Sequence, residues 1–203
     1  MRSEAPPERT SSLLERIARE DGGGPDVSLG ELLDRFDGRA FGVLVVVATL
    51  PAFLPTPVGA GAIAGPLVVL LGLQMLAGLQ HPWLPQWLRR RSFARVRIDH
   101  LLDRLGDGMA KVERLCRPRA GIVLQGAGWR LTGGLMALHG VALGLPVPLT
   151  NYPFGFVLVI LAIALVERDG ALVAACWGLM LLCIGIVVAL GDAIVDTLSR
   201  YLG

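Results

Sequence analysis

The chain has 203 residues, 53% of them hydrophobic, with a mean hydropathy of +0.59 and a formal charge of +2. That apolar share exceeds the roughly 45–50% of a soluble domain and is gathered in runs, which points to an integral membrane protein. The cysteines (Cys116, Cys176, Cys183) form no CxxC and the histidines (His81, His100, His139) have no ligand spacing, so no metal, disulfide framework or cofactor is expected.

Residues 1–27 form a polar leader with no apolar core, so a cleaved signal peptide is not expected. Thr10 to Glu20 can make a short amphipathic helix, closed by Gly22-Gly23-Gly24-Pro25. Ser28 followed by Glu31 reads as a capping box, and Leu29, Leu32, Leu33 and Phe36 form one helical stripe after it. This opens a first membrane unit over residues 28–88. Its first apolar arm, Ala40 to Leu54, has 15 residues and only Thr49 as a polar side chain. At 1.5 Å per residue it reaches ~22 Å, short of the ~30 Å hydrocarbon core. Leu54-Pro55-Thr56-Pro57 then breaks the helix, because the prolines lack donors and restrict their neighbours. The second arm, Val58 to Leu79, has 22 residues, enough to span. Gly61 and Gly65 make a GxxxG face suited to close helix packing and to a homodimer. Pro66 predicts a kink, and Gln74 an interhelical hydrogen bond. Trp83 and Trp87, set among prolines, read as an interfacial belt, with Arg89-Arg90-Arg91 directly behind.

Residues 89–128 form a basic segment with helical periodicity from Phe93 to Leu115, expected to lie as amphipathic helices on the membrane. Residues 1–79 carry a net charge of −3, residues 80–130 of +7, and residues 131–203 of −2. A short basic stretch between apolar regions is placed in the cytoplasm by the positive-inside rule, and membrane topology explains it better than nucleic-acid binding. A second membrane unit runs from Trp129 to Gly203. Leu131 to Leu145 is its first arm, Leu145-Pro146-Val147-Pro148 its break and Tyr152 to Val166 its second arm. Glu167-Arg168-Asp169-Gly170 is a polar turn at the membrane boundary. Ala171 to Leu190 supplies 20 apolar residues, the clearest transmembrane candidate, and Asp192 to Gly203 a short tail.

The two Leu-Pro-x-Pro breaks stand 91 residues apart, and Gly42/Gly133, Leu44/Leu135, Leu67/Leu158 and Val69/Ile160 match at the same offset. The fold class is therefore an all-α integral membrane protein with two proline-broken hairpins, a transmembrane helix and amphipathic surface helices. The short arms either enter and return or span beside longer neighbours. A break repeated in corresponding places points to an intramembrane site. The candidate substrate-binding residues are Pro55, Thr56, Pro57, Pro146, Pro148, Thr150, Asn151 and Tyr152 at the tips. His139 joins them, because an ionisable group inside an apolar arm is expensive. Against this stand plain alternatives: turns between ordinary helices, Thr and Asn as helix caps, and a histidine hydrogen-bonded between helices.

Ser28-Leu29-Gly30-Glu31-Leu32-Leu33, Gly38-Arg39-Ala40-Phe41-Gly42, Leu50-Pro51, Leu54-Pro55-Thr56-Pro57-Val58-Gly59 and Trp83-Leu84-Pro85, in that order, resemble the bacterial exopolysaccharide synthesis ExoD family. The resemblance implies a multi-pass protein of the bacterial inner membrane, linked to exopolysaccharide production. It supplies no catalytic residues, and no enzyme is expected. Two functions fit: a transporter-like or channel-like protein with its site at the breaks, or an accessory scaffold for polysaccharide-synthesis proteins. The expected partners are membrane lipids, a second copy of the chain and those synthesis proteins, with no nucleic acid.

Overall fold

The computed structural model describes residues 26–53, 61–90, 92–94, 120–144 and 151–202. The helix expected over 10–20, both Leu-Pro-x-Pro tetrapeptides and residues 95–119 lie outside these. The described residues are predominantly helical. They add one feature that periodicity did not reveal: β1 (Asp26–Ser28) pairs antiparallel with β2 (Ser92–Ala94), Val27 opposite Phe93. The helix expected from Phe93 is thus corrected at its start. Main-chain groups of Ser92–Ala94 find partners across the ribbon instead of along their own chain.

The capping box forms as its spacing demands. Ser28 N donates to Glu31 Oε2 at 3.1 Å and Glu31 N donates to Ser28 Oγ at 3.2 Å, starting α1 (Leu29–Phe36). Leu33 and Phe36 of its stripe are buried. After a 3-10 turn, α2 runs from Ala40 to Thr49 and tightens into a second 3-10 turn, Leu50–Phe53. Pro51 explains the change, since it removes a donor from the α-helical ladder.

Helix α3 (Gly61–Leu76) has 16 residues, so it spans ~24 Å rather than the longer reach expected of its arm. It passes through Pro66 without interruption. It ends where Gly78, at φ +90, lets Gly78 N donate to Met75 O and Leu79 N donate to Gln74 O, a Schellman closure. α4 (Gln86–Arg89) follows. α5 (Gly126–Gly144) begins three residues before the expected Trp129 start, behind a 3-10 turn at Gly121–Leu124. α6 (Asn151–Val166) closes like α3, with Arg168 N donating to Leu165 O and Asp169 N to Ala164 O. α7 (Gly170–Leu202) has 33 residues, so the expected short tail continues its helix.

Asp169 caps α7: its Oδ1 accepts from Ala171 N at 3.0 Å and Leu172 N at 3.1 Å, and it is 5% exposed. A buried carboxylate at a helix N-terminus satisfies free donors and meets the positive end of the dipole. Asp169→Ala is expected to lower stability by about 1–2 kcal/mol, read as a lower thermal midpoint in detergent, whereas Asp169→Asn should retain most of it.

Packing sets the helix directions. A Cβ on Gly72 of α3 would lie 2.6 Å from Ala137 N and 2.7 Å from Gly133 O of α5. One on Gly65 would lie 2.7 Å from Gly140 O and 2.8 Å from Gly144 N. α3 and α5 therefore run antiparallel, backbone against backbone. On the other side, a Cβ on Gly42 of α2 would lie 2.7 Å from Ala162 O and 2.9 Å from Val166 N of α6. Gly155 of α6 faces Phe53 in the 3-10 turn that continues α2, so this pair is antiparallel too. The two contacts correspond closely: Gly133 meets Gly72 O and Leu76 N just as Gly42 meets Ala162 O and Val166 N. The spacing is 91 residues for the first helices of each hairpin and 90 for the second. The segment of 54–60 is one residue longer than that of 145–150, which accounts for the slip.

α7 is the one helix among the described residues long and apolar enough to cross a membrane, with mean hydropathy 2.6 over Gly170–Ala189. Its outward residues Leu181, Leu182, Ile186 and Val188 are exposed, as are Ile63, Leu67 and Leu70 of α3 and Phe156 of α6. The core lies between the helices, around Phe41, Val45, Val68, Met75, Met136, Leu158 and Met180.

Candidate functional site

The bundle has two unlike ends. At one, α6 finishes against the start of α2: a Cβ on Gly38 would lie 2.9 Å from Arg168 Nη2. α3 finishes against the start of α5: Trp129 Nε1 donates to Leu79 O at 2.8 Å, and the Arg130 guanidinium lies over Gly78. Phe41 and Trp129 meet edge to face there, centroids 5.5 Å apart. Asp34 of α1 takes a bidentate salt bridge from Arg89 Nη2, at 3.0 and 2.8 Å. Gln74 does not bond to another helix as expected. It brackets the main chain of Trp83, accepting from its N–H at 2.6 Å and donating to its carbonyl at 3.2 Å. α7 also starts from this polar end.

The other end gathers the residues that flank the two breaks. Phe53 precedes one break and Gly61 follows it; Gly144 precedes the other and Asn151 follows it. Gly65 against Gly144, and Phe53 against Gly155 and Phe156 (centroids 6.2 Å), bring these flanks to one level of the bundle. The breaks are therefore approached from the same direction.

Below this end sits His139. It is 0% exposed, and its ring lies 4.4 Å from that of Phe154 in the first turn of α6. The Phe154 main chain lies close enough to interact weakly with the ring, but neither ring nitrogen makes a hydrogen bond of good geometry within 3.5 Å among the described residues. Thr132, two turns back on the same face of α5, is by contrast satisfied. Its Oγ1 donates to Gly128 O and accepts from Trp177 Nε1 of α7 at 3.0 Å. Thr49 donates to Val45 O at 2.6 Å. An imidazole with no well-formed hydrogen bond at either nitrogen, in apolar surroundings, is suited to meeting water or a small polar solute.

Of the other candidates, Tyr152 is 46% exposed on the first turn of α6 and Asn151 is its first residue. Pro55, Thr56, Pro57, Pro146, Pro148 and Thr150 lie outside the described residues. Gly65 packs within the chain, and Gly61 is buried beside it. Phe154 was not singled out from sequence, because its contact with His139 exists only once α5 and α6 close as a hairpin. Among the described residues no group of three or more His, Cys, Asp or Glu could hold a metal ion.

Comparison with known proteins places these observations in a family. The family described as "Exopolysaccharide synthesis, ExoD" matches residues 10–189. The protein named ExoD of Rhizobium meliloti is 29% identical over 156 residues, covering 74% of this chain and 65% of that protein. The chain thus spans slightly less than two thirds of that relative's length. An uncharacterized protein of Synechocystis sp. is 27% identical over 169 residues, covering 82% of this chain and 80% of that one. No solved structure matches.

Proposed function

The chain belongs to the exopolysaccharide-synthesis ExoD family, and on that premise we propose that it is a multi-pass, non-enzymatic protein of the bacterial inner membrane that passes a small polar solute. Its site is the end of the bundle where both proline breaks are flanked, with His139 beneath them. The observation that carries this reading is His139 itself: fully buried, and unpartnered among the described residues. Leaving polar atoms unbonded in an apolar interior costs about 1–3 kcal/mol each. A role in function offsets that cost better than packing does.

The chain reads as two copies of one hairpin, in parallel rather than inverted. The matched contacts of Gly42 and Gly133 and the equal 16-residue lengths of α3 and α6 support this. His139 then corresponds to Ala48, so only the second copy carries the polar side chain. Small-residue packing between α3 and α5 holds the copies together.

The test is reconstitution. Vesicles holding the wild-type chain should pass small polar solutes or protons faster than empty vesicles, and vesicles holding His139→Leu should not. Equal flux in all three would overturn the reading. A second reading, an accessory scaffold, draws on the polar end, where α1, α4 and the β1–β2 ribbon build a docked surface. It predicts capture of synthesis proteins that Asp34→Ala weakens and His139→Leu leaves alone. A homodimer would need a face other than that of Gly65, which α5 occupies; the exposed side of α7 is the candidate.

A further inference from the structure

We propose that the hook from Trp83 to Arg90 is a binding surface for the headgroups of anionic phospholipids. The proposal rests on the membrane reading above and names the lipid that this end of the bundle meets. The hook is built rather than loose. Gln74 holds the main chain of Trp83 from both sides, Trp129 holds the carbonyl of Leu79, and Arg89 is tied bidentately to Asp34. With its backbone so fixed, the segment presents two indoles outward: Trp83 is 62% and Trp87 66% exposed. Exposed indoles held at a fixed height fit the interfacial layer of a bilayer, where the ring is half apolar and the N–H still finds a partner.

The charge beside them is selective. Arg89 is neutralised by Asp34, and Glu31 is engaged with Ser28. Arg90 is exposed, and no ion pair to it is found among the described residues. It lines a surface groove of about 300 Å³ together with Glu31, Asp34, Gln86 and Arg89, and both carboxylates there are already engaged, Glu31 by Ser28 and Asp34 by Arg89. One free guanidinium next to two interfacial indoles complements a phosphate-bearing headgroup of net negative charge. The hook also stands at the end of the bundle from which α7 begins its exposed apolar course, level with Arg130 and Arg168. That is where headgroups lie if α7 crosses the bilayer.

The full chain reconstituted in phosphatidylcholine vesicles, with or without phosphatidylglycerol, tests this through tryptophan emission, using bromine near the top of one lipid's acyl chains at a time. Brominated phosphatidylglycerol should quench more than brominated phosphatidylcholine at the same mole fraction. Arg90→Gln should reduce that preference about fivefold, the share of one arginine near a membrane surface. Trp83→Phe with Trp87→Phe should remove the quenched component while Trp129 and Trp177 still emit. Glycerol phosphate added in solution should not reverse the quenching. Equal quenching by both lipids, or a preference unchanged by Arg90→Gln, would overturn the proposal, and reversal by glycerol phosphate would make the hook a free-anion site. Failure of the chain to enter either vesicle would sink the membrane reading along with it, which separates the two.

Discussion

On the proposed reading, replacing His139 by leucine is expected to raise the unfolding midpoint of the purified protein and to abolish exopolysaccharide output in cells that rely on the chain for it. Both effects follow from the same observation. The imidazole is fully buried and neither nitrogen is bonded among the described residues. Each unbonded polar atom costs about 1–3 kcal/mol, and leucine of similar volume removes that cost. In a chain of this length each kcal/mol shifts the midpoint by roughly 2–4 °C. A histidine serving only the fold behaves in the opposite way: its loss would lower the midpoint and leave output unchanged. His139→Gln, which keeps a donor and an acceptor, should fall between wild type and leucine in output. Thermal unfolding and polysaccharide yield, measured on the same three proteins, check the pair of signs.

Substituting alanine at Gly72 and Gly133 together unfolds or splays the bundle. A Cβ at Gly72 would sit 2.6 Å from Ala137 N and 2.7 Å from Gly133 O; one at Gly133 would sit 2.6 Å from Gly72 O and closer still to Leu76 N. These neighbours are main chain, which cannot swing aside as a flexible side chain can. Overpacking of this kind costs about 1–3 kcal/mol per site, and two sites on one seam amount to a large fraction of a domain's stability. Gly178→Ala on α7, where nothing lies within 4 Å, is the control and should be neutral or slightly stabilising through helix propensity. Circular dichroism on heating distinguishes them. A double variant as stable as wild type would mean that α3 and α5 do not approach this closely.

What could be read from the sequence was local. The Ser28/Glu31 capping box depends on residues three apart, and it forms as its spacing requires. The 20 apolar residues after Glu167-Arg168-Asp169 could be counted directly, and they fall within α7. What escaped depended on partners far along the chain. The β1–β2 ribbon joins residues 26–28 to 92–94, and no short-range pattern announces it. Gly61 and Gly65 stood out as a close-packing face, but α5 as the neighbour of Gly65 could not be read from periodicity. Gly42 and Gly133 stand 91 residues apart, whereas the main-chain atoms they meet, at Ala162 and Gly72 and at Val166 and Leu76, stand 90 apart, a difference that no pattern within one helix announces. His139 was conspicuous as an ionisable group in an apolar arm, whereas its isolation is a property of the packed bundle.

The central claim is that both breaks are flanked at one end of the bundle, opposite the Trp83–Arg90 end. Site-directed labelling in intact cells tests it directly. With Cys116, Cys176 and Cys183 replaced by alanine, single cysteines at Ile63 and Tyr152, both exposed in the first turns of α3 and α6, are compared with one at Trp87. The account predicts that a membrane-impermeant thiol reagent reaches Ile63→Cys and Tyr152→Cys from the same side, and Trp87→Cys from the other. Labelling of Ile63→Cys and Tyr152→Cys from opposite sides would contradict it.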